Sequence, residues 1–137
     1  MTIIFRYKKV TRPDKTEVKS PSIPITLIGK TMRFDAVALL DSGADVSAVP
    51  KDIAELLGLD LSGKREPAYG IGGKVDSVES SLSIIIEKGH EHYSFDIPVK
   101  VILDSYEFPV LLGRAGFFDK FVVSFNQKAE KILLKKS

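Results

Sequence analysis

The sequence predicts an all-β domain with one or two short helices. Three observations carry that reading. Apolar runs are short, and Gly, Pro, Asp, Asn or charged residues interrupt them in clusters that turn a chain. The clearest helical spacing is confined to residues 50–57. No linker, repeat or low-complexity tract divides the 137 residues, so one domain is expected.

Residues 3–10 read as a strand, and residues 11–15 (Thr-Arg-Pro-Asp-Lys) as the turn after it. The segment 20–24 carries Pro21 and Pro24, each lacking a ladder donor, and reads as extended or edge structure. Residues 25–28 form the next strand, Gly29-Lys30 a turn, and residues 32–40 another strand. The second half of that strand, 36–40, is apolar throughout, which predicts burial on both faces. Pro50 suits a first helical turn, Ile53, Leu56 and Leu57 share a face, and Gly58 suits the exit. Strands resume at about 77–86 and 93–102, joined by a hairpin at Lys88-Gly89-His90. Residues 110–112 form a short buried strand, and 113–118 a short helix. Residues 121–125 and 132–134 bracket a closing hairpin. The domain thus divides into an added N-terminal hairpin at 1–28, a central body, and a C-terminal hairpin at 121–134.

Composition narrows the function. Hydrophobic residues make up 44% and charged residues 28%, a balance that suits a soluble globular chain. With no cysteine, disulfides and thiolate metal sites are excluded and a reducing compartment is suitable. His90 and His92 read as solvated hairpin residues, and no metal or cofactor is expected. The net charge is +2, and its one cluster, Lys128, Lys131, Lys135 and Lys136, reads as a solvated terminus rather than a nucleic-acid face. No apolar run reaches the roughly 20 residues of a membrane span. The N-terminus lacks the order of a signal peptide, so a cytoplasmic protein is expected.

The strongest chemical signal is Leu39-Leu40-Asp41-Ser42-Gly43-Ala44-Asp45. A carboxylate follows directly on an apolar strand, beside a hydroxyl and a glycine that permits a sharp turn. Taken alone, Asp-Ser-Gly is also ordinary turn chemistry. Two further segments give it context: Tyr69-Gly70-Ile71-Gly72-Gly73-Lys74-Val75, and Leu111-Leu112-Gly113-Arg114 before a short helix. The glycine-rich stretch matches neither nucleotide motif. Val75 stands where a dinucleotide fingerprint needs its third glycine, and also where a phosphate loop needs Ser or Thr.

In this order, the three segments resemble the retroviral aspartic proteases and their cellular retropepsin-like relatives, over roughly residues 32–118. The resemblance implies a small closed-barrel acid-protease fold and an endopeptidase without metal or cofactor. It implies that Asp41, Ser42 and Gly43 form the catalytic turn, and that Ala44 and Asp45 contact substrate. Residues 67–80 become a flap whose tip residues Gly70, Ile71, Gly72 and Gly73 cover a bound peptide. Arg114 corresponds to an arginine that braces the active-site turn, and a buried Asp45–Arg114 pair is expected.

Aspartate-driven peptide hydrolysis requires two carboxyl groups sharing one proton. The chain has no second Asp-[Ser/Thr]-Gly: Asp104-Ser105 comes closest, but Tyr106 occupies the glycine position. The partner aspartate is therefore expected from a second copy of Asp41 in a homodimer acting on peptide or protein substrates. The alternative is a retropepsin-like dimer that binds peptides or supports assembly without appreciable cleavage.

Overall fold

The computed structural model describes residues 2–70, 73–104 and 108–137. In chain order the strands are β1 (Thr2–Arg6), β2 (Lys8–Thr11), β3 (Glu17–Ser20), β4 (Ser22–Ile28), β5 (Arg33–Leu40) and β6 (Ser47–Pro50). The helix α1 (Lys51–Leu57) follows, then β7 (Arg65–Gly70), β8 (Gly73–Lys88), β9 (Glu91–Ile102), β10 (Val110–Leu112), β11 (Phe121–Asn126) and β12 (Lys131–Lys136). The protein is all-β, and no helix of the described residues is long and apolar enough to cross a membrane.

Seven strands pair in the order β4-β5-β10-β6-β9-β8-β7. β4 also pairs with β8, Thr26 opposite Ile85 and Ile28 opposite Ser83, so the pairings from β4 round to β8 return on themselves. Inward residues of these strands, among them Ile23, Leu27, Ile84, Ile86, Ile97 and Leu112, are fully or almost fully buried. Each such side chain stabilises the fold by about 1.5–3 kcal/mol. Prolines are tolerated where a strand has one free side. Pro24 pairs with β5 at a level of β4 that β8 does not reach, and Pro98 stands one residue before β9 meets β6.

Residues 3–10 form two strands rather than one, with the break at Tyr7. β1 leaves the neighbouring hairpin and pairs instead with β12, Ile3 opposite Leu134 and Phe5 opposite Ile132. The reason is apolar cover: Ile3 and Phe5 are buried on the same side as Ile132 and Leu134, and β11 completes this three-stranded sheet. β2 and β3 form a hairpin of their own, and β4 enters the large sheet.

Three local readings also differ from expectation. In α1, Ala54 and Leu57 are the buried positions, whereas Leu56 is 46% exposed because it sits off the face that Leu57 shares with Ala54. The apolar run 36–40 is not covered on both faces. Ala38 and Leu40 are in the core, while Val37 is 42% exposed and Leu39 only half-buried. The segment after Gly113 is one wide turn, Arg114–Phe118, with extended geometry at Ala115 and a φ of +88° at Gly116, not a regular helix. Its anchor is Phe117, fully buried, with rings of Phe118 and Phe121 each 5.5 Å away.

Candidate active site

Asp41 stands at the end of β5, and the chain then loops to β6 without pairing β5 to β6. β10 lies between them, parallel to β5 (Leu112 opposite Leu40) and antiparallel to β6 (Leu111 opposite Ala48). The loop is therefore stitched to the end of β10 along its length. Asp41 N donates to Leu112 O at 2.9 Å, Arg114 N to Ala44 O at 2.9 Å, and Ala115 N to Asp45 O at 2.8 Å. Gly113 N donates to the hydroxyl of Ser47, fully buried, at 3.0 Å. The approach is so close that a Cβ on Gly113 would lie 2.4 Å from the Val46 carbonyl carbon and oxygen. No other residue fits there.

Within the loop, Asp41 Oδ1 accepts the Gly43 amide at 3.0 Å, and Ala44 N donates to Asp41 O at 3.1 Å. This fixes the carboxylate's direction through the turn itself. Asp41 is half-buried, while Ser42 and Gly43 are exposed. Arg114 spans the loop from outside: Nη1 donates to Ser42 O and Nη2 to Asp45 Oδ1, both at 2.8 Å. The pair is not the buried fork expected, since the two side chains are 54% and 84% exposed. The loop lies at the surface, where the described residues cover the Arg114 side chain only in part.

The other predicted segment is the β7–β8 hairpin, whose described arms close to Gly70 opposite Gly73. Gly73 has a φ of +118°, a conformation reserved in practice for glycine, and an added Cβ would meet nothing at either position. Ile71 and Gly72 lie outside the described residues, as do Ser105 and Tyr106. Tyr69 is 76% exposed. Lower in the hairpin, Asp104 Oδ1 accepts Asp76 N at 3.2 Å. Hydrogen bonding with the neighbouring Glu66 carboxyl, and the charge of Glu66, raise the Glu79 pKa above its usual value.

The structure thus brings Asp41, Ser42, Gly43, Ala44, Asp45 and Arg114 into one braced loop, and Gly70 and Gly73 into a separate hairpin. Sequence reasoning missed Ser47. The only signal was a lone hydroxyl in the apolar run Val46–Val49, which must find a partner when buried.

No protein-family profile and no curated protein sequence matches the chain. Among solved structures, a retropepsin-like aspartic protease from Rickettsia conorii is similar over 98% of this chain and 90% of its own, with a TM-score of 0.58 at 19% identity. EIAV protease in complex with an inhibitor aligns over 77% of this chain and 88% of its own, with a TM-score of 0.42 at 23% identity. The fold is retropepsin-like.

Proposed function

We propose that the chain is one half of a homodimeric aspartic endopeptidase, in which two copies of Asp41 meet across a two-fold axis and activate one water. The observation that supports this reading is the mounting of Asp41. Its carboxylate is aimed by the Gly43 amide, on a loop held by β10 from inside and by Arg114 from outside. A turn with only a connecting role has no need of that bracing.

In this mechanism the pair holds one proton, because two carboxylates about 3 Å apart cannot both ionise. The ionised Asp41 takes a proton from water as the water oxygen attacks the peptide carbonyl carbon. The protonated Asp41 of the other copy gives its proton to the carbonyl oxygen, leaving a neutral gem-diol. On collapse, one carboxyl protonates the amide nitrogen, the C–N bond breaks, and a diol hydroxyl returns a proton to the carboxylate. The pair ends as it began. Ser42 supports the turn across the dimer, Ala44 and Asp45 contact the peptide, and Arg114 positions the loop. The hairpin carrying Gly70 and Gly73, completed by Ile71 and Gly72, closes over the substrate and excludes water.

The test is digestion of a peptide library by wild-type protein and by Asp41→Asn, read by mass spectrometry. Cleavage by the first and none by the second, at equal folding and sedimentation, is the expected result. A variant that cuts near the wild-type rate would remove Asp41 from the mechanism. Peptide binding by wild-type protein without any cleavage would instead make the chain a binding module.

A further inference from the structure

β1, β12 and β11 form a sheet of their own, and Ile3, Phe5, Ile132 and Leu134 bury one of its faces. Alternation turns Ile4, Arg6, Val122, Lys131, Leu133 and Lys135 to the other face. The register orders them. Ile4 is opposite Leu133, and Val122, beside Lys135, stands diagonal to the same leucine, which makes an apolar centre. Ile4 and Val122 are 46% and 57% exposed. Lys135 stands at one end of the face, and Arg6, opposite Lys131, at the other. The remaining positions, Thr2, Ser124 and Asn126, are polar and uncharged, so the face holds no carboxylate. Among the described residues, none of its three cations forms an ion pair. The fold also divides the C-terminal lysines. Lys136 lies over the Tyr93 ring, 5.6 Å from its centre, while Lys131 and Lys135 are joined on the outer face by an arginine distant in sequence.

We propose that the outer face of this sheet is a docking surface for an acidic, extended segment of a partner protein, one with an apolar residue between two carboxylates. Docking here is independent of whether Asp41 cleaves peptides. Charge and spacing together select the occupant. Lys131, Leu133 and Lys135 are alternate residues of β12, so the two lysines stand about 13 Å apart with the leucine halfway. An extended partner repeats at the same interval. A Glu-x-Leu-x-Glu segment therefore sets each carboxylate over a cation while its leucine covers Ile4 and Leu133. Because these cations are unpaired, no ion pair has to break first. A nucleic acid fits less well, since the face has no aromatic ring to stack a base and phosphates would leave its apolar centre uncovered. A lipid surface fits less well too. The three cations are fewer than the roughly four to eight of a lipid-binding cluster, and no aromatic side chain is present to enter the interface. The face is small beside the roughly 20–30 residues of a standard interface, so a weak, transient contact is expected.

The experiment is an NMR titration of the isotope-labelled full chain carrying Asp41→Asn, so that no probe can be cut. The probe is a peptide with Glu-Thr-Leu-Thr-Glu between Gly-Ser arms. Amide shifts are expected at residues 2–6, 122–126 and 131–135, with a Kd of about 10 µM to 1 mM. Peptides with Lys in place of both Glu, or Ser in place of Leu, should bind about tenfold more weakly or worse. Raising the salt from about 50 to 500 mM should weaken the acidic peptide severalfold. Adding Lys131→Glu and Lys135→Glu together should reverse the preference, so that the Lys peptide binds better than the Glu peptide. If that double variant does not fold by circular dichroism, the three peptides on the unaltered face decide. Equal binding of the three, shifts confined to other residues, or no shifts up to about 2 mM peptide each overturn the proposal. Phosphatidylserine vesicles and a single-stranded oligonucleotide are titrated in parallel, and tighter binding of either at the same residues overturns the choice of a protein partner. Shifts of these residues on dilution of the protein alone would mean that a second copy covers the face, which also overturns it.

Discussion

Arg114 and Asp45, 69 positions apart, are joined at 2.8 Å, and the same guanidinium reaches Ser42 O at 2.8 Å. The contact bridges the two ends of the loop that begins with Asp41. Both side chains are largely exposed, so their Coulomb attraction contributes little to stability, about 0–1 kcal/mol. Its value is geometric: a planar fork satisfies a carbonyl and a carboxylate at once, which a lysine ammonium cannot do in the same plane.

Arg114→Lys should therefore separate stability from turnover. The urea midpoint is expected to move by less than about 1 kcal/mol in equivalent stability. At the same time kcat/KM should fall tenfold or more, because a loosened loop misdirects the Asp41 carboxylate. Equal loss of both quantities would mean that the arginine only supports the fold.

Ser47 and Gly113 hold the same loop from the inside, and there stability is at stake. Ser47→Ala leaves the Gly113 N–H buried without an acceptor, at a cost of about 1–3 kcal/mol. Gly113→Ala drives a Cβ into the Val46 carbonyl and is expected to cost about 3 kcal/mol or more. Chemical denaturation at fixed protein concentration gives both numbers. Wild-type stability in Gly113→Ala would show that β10 and the loop are not packed as described.

These contacts mark where the sequence is readable and where it is not. Asp41 is legible because the apolar run 36–40 stops abruptly at Asp-Ser-Gly, a local pattern. The burial of that run is not, because composition cannot tell a strand covered twice from one whose Val37 and Leu39 face a cleft. The Pro50–Gly58 helix signals are local too, and the helix ends at Gly58 in a left-handed conformation. The pairing of β1 with β12 is decided by which distant strand can cover Ile3 and Phe5, and no local pattern encodes that choice. Ser47 is invisible for a related reason: its partner is a backbone amide 66 positions away.

The base of the β7–β8 hairpin should respond to pH through Glu79. Folding raises its pKa because Glu66 hydrogen-bonds its protonated form and repels its charged form. The folded state therefore holds that proton more tightly than the unfolded chain. The resulting stabilisation is complete below the ordinary glutamate pKa and is lost as pH rises through the folded Glu79 value. Asp14 and Asp60 act in the opposite sense. Hydrogen bonds from Thr16 and from Ser62 lower their pKa values, so their contributions are lost as pH falls. NMR titration of the carboxyl carbons should find Glu79 above a reference glutamate, and Glu66→Gln should bring it down. A Glu79 midpoint unmoved by that substitution would break the assignment.

Whether one chain or two make the active site can be settled by mixing subunits. Asp41→Asn keeps the size and backbone of the loop, so it should dimerise like wild type while contributing no ionisable carboxyl. If the site is shared, equal amounts of the two proteins, allowed to exchange, distribute as about one quarter wild-type pairs, one half mixed and one quarter variant pairs. Mixed pairs have a single aspartate and cannot hold both the ionised and the protonated carboxyl that the mechanism requires. Activity should then fall to about a quarter of that of the same total concentration of wild type. Independent sites, one per chain, would instead leave about a half. The two values are far enough apart for an ordinary initial-rate assay, and dilution supplies a control. A shared site loses specific activity as dimers dissociate, whereas an independent one does not. A reading of one half, insensitive to dilution, would show that Asp41 works without its twin and that the two-carboxylate mechanism does not apply to this chain.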